Sequence, residues 1–78
     1  MRILGIDPGT VKLGYGVVDD GERMRMRDCG VLRLSPKIPI EERLSTLYTR
    51  LSEIIAEHQP DEVAIEEPFV GQNVRSAL

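Results

Sequence analysis

Two acids stand where short apolar runs end: Asp7 after Ile3-Leu-Gly-Ile6, and Glu66 after Val63-Ala-Ile65. A carboxylate in an apolar core costs several kcal/mol unless a cation or hydrogen bonds compensate it, so both acids belong at strand ends. If the two strands lie side by side, the carboxylates converge. With no cysteine or histidine companion they offer only hard oxygen donors, a set that suits Mg²⁺ or Mn²⁺ far better than Zn²⁺. The natural use of such a site is phosphoryl chemistry, in which two metal ions roughly 4 Å apart activate a water and steady the leaving oxygen. Two carboxylates are too few for that pair. The plainer alternative is that Asp7 caps the Pro8-Gly9 turn through side-chain-to-backbone bonds while Glu66 is solvated.

The elements that must position these acids follow from pattern. Residues 2–6 read as a buried strand ending at Asp7, closed by Pro8-Gly9. Residues 13–18 form a second strand, closed by the hairpin signal Asp20-Gly21. In the third, Met24 and Met26 alternate with Arg23, Arg25 and Arg27, and residues 29–34 continue it with an expected slip at Gly30. Ile40, Leu44, Leu47, Tyr48, Leu51, Ile54 and Ile55 recur at helical spacing, predicting a helix over residues 39–58. Glu41 and Glu42 suit its first turn, His58 lies near its end, and Pro60 stops it. Residues 61–66 read as a fourth strand, expected to be buried on both faces and parallel to a neighbour. A right-handed crossover through the helix would set strands one and four side by side. Residues 68–71 read as a loop, and residues 72–78 begin a helical pattern.

Composition bounds the class. Seventy-eight residues with 41% hydrophobic content make at most one small globular domain. Cys29 is the only cysteine, which excludes an internal disulfide and a multi-cysteine zinc site and favours a reducing compartment, the cytoplasm by default. No apolar run matches a signal peptide or a membrane span. A net charge of −3 gives no overall basic signature, so nucleic-acid binding would rest on local patches or metal ions. Gly9, Gly14 and Gly16 would allow a phosphate backbone to approach, although glycines at tight turns more often serve sterics. The three arginines read first as protection of an edge strand. His58 reads as a helix-end cation or a solvated ring, with no assigned role.

Taken together, Ile3-Leu-Gly-Ile-Asp-Pro-Gly-Thr10 followed by Gly14-Tyr-Gly-Val17 closely resembles the opening of RuvC-type Holliday junction resolvases. Pro60-Asp-Glu-Val-Ala-Ile-Glu-Glu-Pro-Phe69, then Asn73 and Ser76-Ala-Leu78, resembles that family's fourth strand and following helix at the expected separation. Two separated blocks are far more specific than the short Asp-x-Gly-Thr pattern also found in actin-like ATPases.

The resemblance implies a truncated α/β fold of the ribonuclease-H-like type: a mixed sheet with a three-stranded antiparallel meander, a helix and a parallel fourth strand. Residues 1–78 would be the N-terminal part of a single nuclease domain. It places metal-binding, catalytic acids on Asp7 and Glu66, with Glu67 as the fallback because neighbouring strand residues face opposite ways. It puts a DNA-contacting aromatic at Phe69, where stacking on an unpaired base is worth roughly 1–3 kcal/mol. It implies Mg²⁺, with Mn²⁺ able to substitute, four-way junction DNA as substrate, a homodimer and a branch-migration helicase complex. The family's later acids have no counterpart before Leu78, so this chain is expected to be inactive alone. A fourth strand without its outer neighbour is expected to promote self-association. The alternatives are a non-catalytic binding or assembly piece and an actin-like ATPase fragment.

Overall fold

A computed structural model describes residues 1–66. Four strands and one helix follow in the order β1 (Arg2–Asp7), β2 (Lys12–Asp20), β3 (Met24–Arg33), α1 (Ile40–His58) and β4 (Glu62–Ile65). The sheet order is β3-β2-β1-β4, with β1–β2 and β2–β3 antiparallel and β1–β4 parallel. This is the expected ribonuclease-H-like mixed sheet, with the meander and the crossover helix in their expected places.

Alternation along the strands gives the sheet two unlike faces. Leu4, Leu13, Val17 and Leu32 are buried on the face that receives Leu47 and Ile54 of α1, with Ile6, Tyr15 and Leu51 packed around them. Leu4 and Val17 are wholly inaccessible and sit opposite one another on β1 and β2. The other face carries Gly5, Asp7, Gly14 and Gly16, together with the exposed Met24 and Met26. The Met/Arg alternation of β3 is therefore real, but its methionines lie on the face without the helix.

Several details depart from the sequence reading. The register slip of β3 is not at Gly30: β2 residues Val17 and Val18 face Asp28 and Met26, which leaves Arg27 as the extra residue. Gly30 has another use, since a Cβ there would lie 2.9 Å from the Tyr15 hydroxyl oxygen and 3.0 Å from the ring. The aromatic ring of its cross-strand partner occupies that space. The helix starts at Ile40 rather than Pro39, which caps it without a side-chain bond, and it ends at His58 as expected, with Gln59 as its C-cap ahead of Pro60. Gln59 takes a left-handed conformation (φ 48°) and its N–H donates to the Ile55 carbonyl.

β4 is also not buried on both faces; all four of its residues are exposed. Its outer edge has no neighbour among the described residues, and its Val63 and Ile65 pair in register with Leu4 and Ile6 on the helix side of the sheet. The helix shows the same lack of cover: Leu44, Tyr48 and Ile55 of its apolar stripe are exposed. No helix among the described residues is long and apolar enough to cross a membrane.

Candidate active site

Parallel pairing of β1 with β4 runs through Ile3–Glu62, Leu4–Val63, Gly5–Ala64 and Ile6–Ile65. The ladder continues one step further, where the Glu66 N–H donates to the Ile6 carbonyl at 3.0 Å. Asp7 and Glu66 are thus neighbours across the pair, with backbones about 4.8 Å apart by strand spacing. By the same alternation both project to the face away from α1.

That face forms a shallow cleft of about 470 Å³ whose walls include Gly5, Asp7, Gly14, Gly16, Ala64 and Glu66. Three glycines and an alanine give the two acids a floor almost without side chains. A Cβ at Gly14 would lie 3.8 Å from the Asp7 Cβ, so the bare glycine leaves the floor beside Asp7 free of side chain. Neither acid is paired with a lysine or arginine among the described residues. Two exposed carboxylates on one face, side by side and without a protein cation, form a donor set that fits a hard dication.

The turn after Asp7 is held in two ways. A Cβ at Gly9 would overlap the Lys12 carbonyl oxygen, a backbone atom that no side-chain motion can move aside, so the turn needs glycine there. Arg43 reaches back from the first turns of α1 and donates to the Thr10 carbonyl at 3.3 Å and to its hydroxyl oxygen at 3.1 Å, while its Nε donates to the Ile38 carbonyl. The sequence reading assigned Arg43 nothing, and helical periodicity offers no signal for a bond spanning 33 residues.

Glu67 and Phe69 lie outside the described residues, as do the expected loop over residues 68–71 and the helical pattern after it. Arg27 pairs with Asp19 at 3.0 Å, which fits edge protection. His58 does not have a solvated ring: its side chain is only 16% exposed and its Nε2 lies 3.0 Å from an Asp28 carboxylate oxygen.

Comparison with known proteins matches this geometry to a family. The family model described as crossover junction endodeoxyribonuclease RuvC matches residues 3–78. A protein of that name from Halorhodospira halophila is 51% identical over 77 residues, covering 99% of this chain and 46% of its own length. Another from Pelotomaculum thermopropionicum is 47% identical over 79 residues, covering 100% of this chain and 48% of its own length. Among solved structures, T. thermophilus RuvC in complex with Holliday junction substrate superposes with a TM-score of 0.81 at 34% identity, over 99% of this chain and 51% of that chain. The chain spans about half the length of the curated relatives it matches. With its family model matched almost end to end, and with a sheet that superposes on the solved RuvC fold, the chain belongs to the crossover junction endodeoxyribonuclease RuvC family.

Proposed function

We propose that residues 1–78 are the N-terminal part of a single nuclease domain, belonging to a metal-dependent endonuclease that resolves four-way DNA junctions in recombination and repair. One observation carries the reading: Asp7 and Glu66 stand side by side on a glycine floor, on the sheet face that α1 leaves open. A related chain of the same fold, solved in complex with Holliday junction substrate, supports the choice of substrate.

Asp7 and Glu66 are the residues that would hold Mg²⁺, with Mn²⁺ able to substitute. When bound, such a dication supplies Lewis-acid stabilisation of the phosphoryl oxygens and a more acidic water. The chain's own residues hold the acids in place: Gly9, together with Arg43 acting through Thr10, fixes the turn behind Asp7, and the parallel pairing with β1 fixes Glu66. Gly5, Gly14 and Gly16 give a phosphodiester backbone room to lie against the acids. Because two carboxylates are too few for a two-metal site, the isolated 78-residue chain is expected to be inactive.

The remaining assignments rest on the family. Phe69 would stack on a junction base, two copies related by a two-fold axis would match the two-fold symmetry of a four-way junction, and a branch-migration helicase complex would be a partner, in the cytoplasm. The actin-like alternative falls with the family match.

The test is Asp7→Asn in the intact protein, assayed on a synthetic four-way junction. Cleavage is expected to fall more than about 100-fold, the scale of losing several kcal/mol of transition-state stabilisation, while junction binding is retained. Cleavage at the wild-type rate would sink the metal-site reading. Binding without cleavage by the wild-type protein would favour the assembly-piece alternative.

A further inference from the structure

At the corner where α1 ends against β3, three side chains that play no part in the Asp7–Glu66 cleft come together. Asp28, Glu57 and His58 each offer a ligand atom, all within 4.8 Å of one another. Asp28 pairs with Val17 and so projects to the helix side of the sheet, opposite to Asp7. Three residues along the strands and two strands across separate this corner from the cleft, roughly 14 Å in the plane of the sheet. The two sites share no residue.

We propose that Asp28, Glu57 and His58 form a second cation site, selective for a dication of the Zn²⁺ type and independent of the carboxylate pair at the cleft. The spacing fits. His58 Nε2 is 3.0 Å from Asp28 Oδ2 and 3.4 Å from Glu57 Oε2. Ligands bound at about 2.0–2.1 Å in tetrahedral geometry lie roughly 3.3 Å apart, so small side-chain adjustments admit an ion between them. Three protein ligands leave a position for water.

Charge points the same way. Among the described residues, no lysine or arginine pairs with Asp28 or Glu57, so the imidazole is the only partner of two carboxylates. The corner also lies at the C-terminal pole of a 19-residue helix, where the backbone dipole favours positive charge. Tyr15 reports the local field: burial first and then the charge of Asp28 raise its phenol above the ordinary value, against the opposing charge of Arg50 and with smaller contributions from Cys29 and Glu57.

The donor set sets the selectivity. An imidazole nitrogen prefers zinc and its transition-metal neighbours to Mg²⁺, whereas the all-oxygen pair at the cleft has the opposite preference. The ring is already held: His58 is mostly buried, and its own carbonyl accepts a bond from Arg2 Nη1 at 2.9 Å, so little ordering remains when an ion arrives. Glu57, 72% exposed, is the mobile third ligand and leaves the entry path open. An ion there would clamp the end of α1 to β3.

The experiment uses the full chain with Asp7→Asn and Glu66→Gln, which silences the cleft, titrated with ZnCl₂ by calorimetry and by nitrogen NMR of the His58 ring. The expected result is one saturable Zn²⁺ per chain with a shifted His58 Nε2 resonance. Affinity should fall at least tenfold in Asp28→Asn and in His58→Gln, and equimolar Mg²⁺ should not compete. Asp28→Asn still accepts a hydrogen bond from the ring, so it separates loss of a ligand charge from loss of the fold. Zn²⁺ affinity unchanged in both variants would overturn the proposal. So would the absence of saturable binding, leaving His58–Asp28 as a plain hydrogen bond.

Discussion

The two edges of this sheet are built differently. β3 is ten residues long, is bulged at Arg27, carries arginines along its length, and ties one of them to Asp19 of β2. β4 is four residues long, and its apolar Val63 and Ile65 are 47% and 63% exposed. Charge, a bulge and an ion pair are the devices by which a permanent edge resists pairing with another chain, and β3 has all three. β4 has its shortness and a single charge, Glu62, at its start. Its composition is that of an inner strand, and it is also the strand that brings Glu66 to Asp7. The protected rim and the chemically committed strand therefore lie at opposite ends of one four-stranded sheet.

The largest effect that would sharpen this contrast is on cleavage. In the intact protein, Asp7→Asn is expected to abolish cutting on the β1–β4 side, whereas Arg25→Gln on the β3 rim should leave the rate within a few-fold. Comparable losses from both changes would erase the functional distinction between the edges. Next comes stability. Leu4→Ala, at a wholly buried site between the edges, should cost about 2–5 kcal/mol in urea unfolding. Val63→Ala, its exposed neighbour on β4, should cost less than about 1 kcal/mol. Gly30→Ala tests how β3 is attached to β2. The new methyl must displace the Tyr15 ring, with an expected loss of about 1–3 kcal/mol by the same measurement.

Association tests the edges directly. The isolated chain is expected to self-associate, and Ile65→Lys should weaken that association about tenfold in sedimentation equilibrium, in line with the use of lysine to blunt edges. A wild-type chain that stays monomeric at high concentration would show that β4 is protected without a bulge or an ion pair.

The smallest effect concerns acid. Arg2, by its hydrogen bond and then its charge, holds the Asp19 carboxyl below its ordinary value of 3.8. A carboxylate whose folded value is depressed adds stability above the unfolded value, and that stability is lost as pH falls from about 3.8 through the lower folded value. Asp19→Asn should therefore unfold with a flatter pH dependence than wild type below about pH 4, as measured by melting temperature. The partly exposed setting keeps the difference modest.

Most of the framework was legible because it rests on short-range pattern. The apolar run before Asp7, the Asp20-Gly21 turn and the 3.6-residue spacing of α1 each encode their element locally, and the parallel pairing of β1 with β4 followed from crossover handedness. What the sequence concealed depends on partners. Gly30 looked like a bulge, but its missing side chain serves the Tyr15 ring. The slip falls at Arg27, where residue type gives no hint. An apolar run such as Val63-Ala-Ile65 states what a strand needs, not whether its cover is present. His58 looked isolated because Asp28 lies 30 residues away and becomes its neighbour only when α1 folds back on the sheet. At the cleft, the two acids were readable as strand-end carboxylates, but the glycine floor emerges only once the register is known, and the hold of Arg43 on Thr10 only in three dimensions.

Arg2 has a consequence for how the chain folds as it is made. Its backbone N–H donates to the Asp61 carboxylate and its carbonyl accepts from the Asp61 N–H, while its guanidinium joins Asp19 to the His58 carbonyl at the end of α1. On a growing chain Arg2 therefore waits for residues 58 and 61 before its bonds are complete. The β1–β2–β3 meander can form early from local contacts, but closing the N-terminal strand depends on long-range contacts that arrive last, and such closure is slow. During synthesis the first strand remains open along the edge that β4 later fills, and that interval is when a chaperone or a neighbouring nascent chain has its best access to the fold.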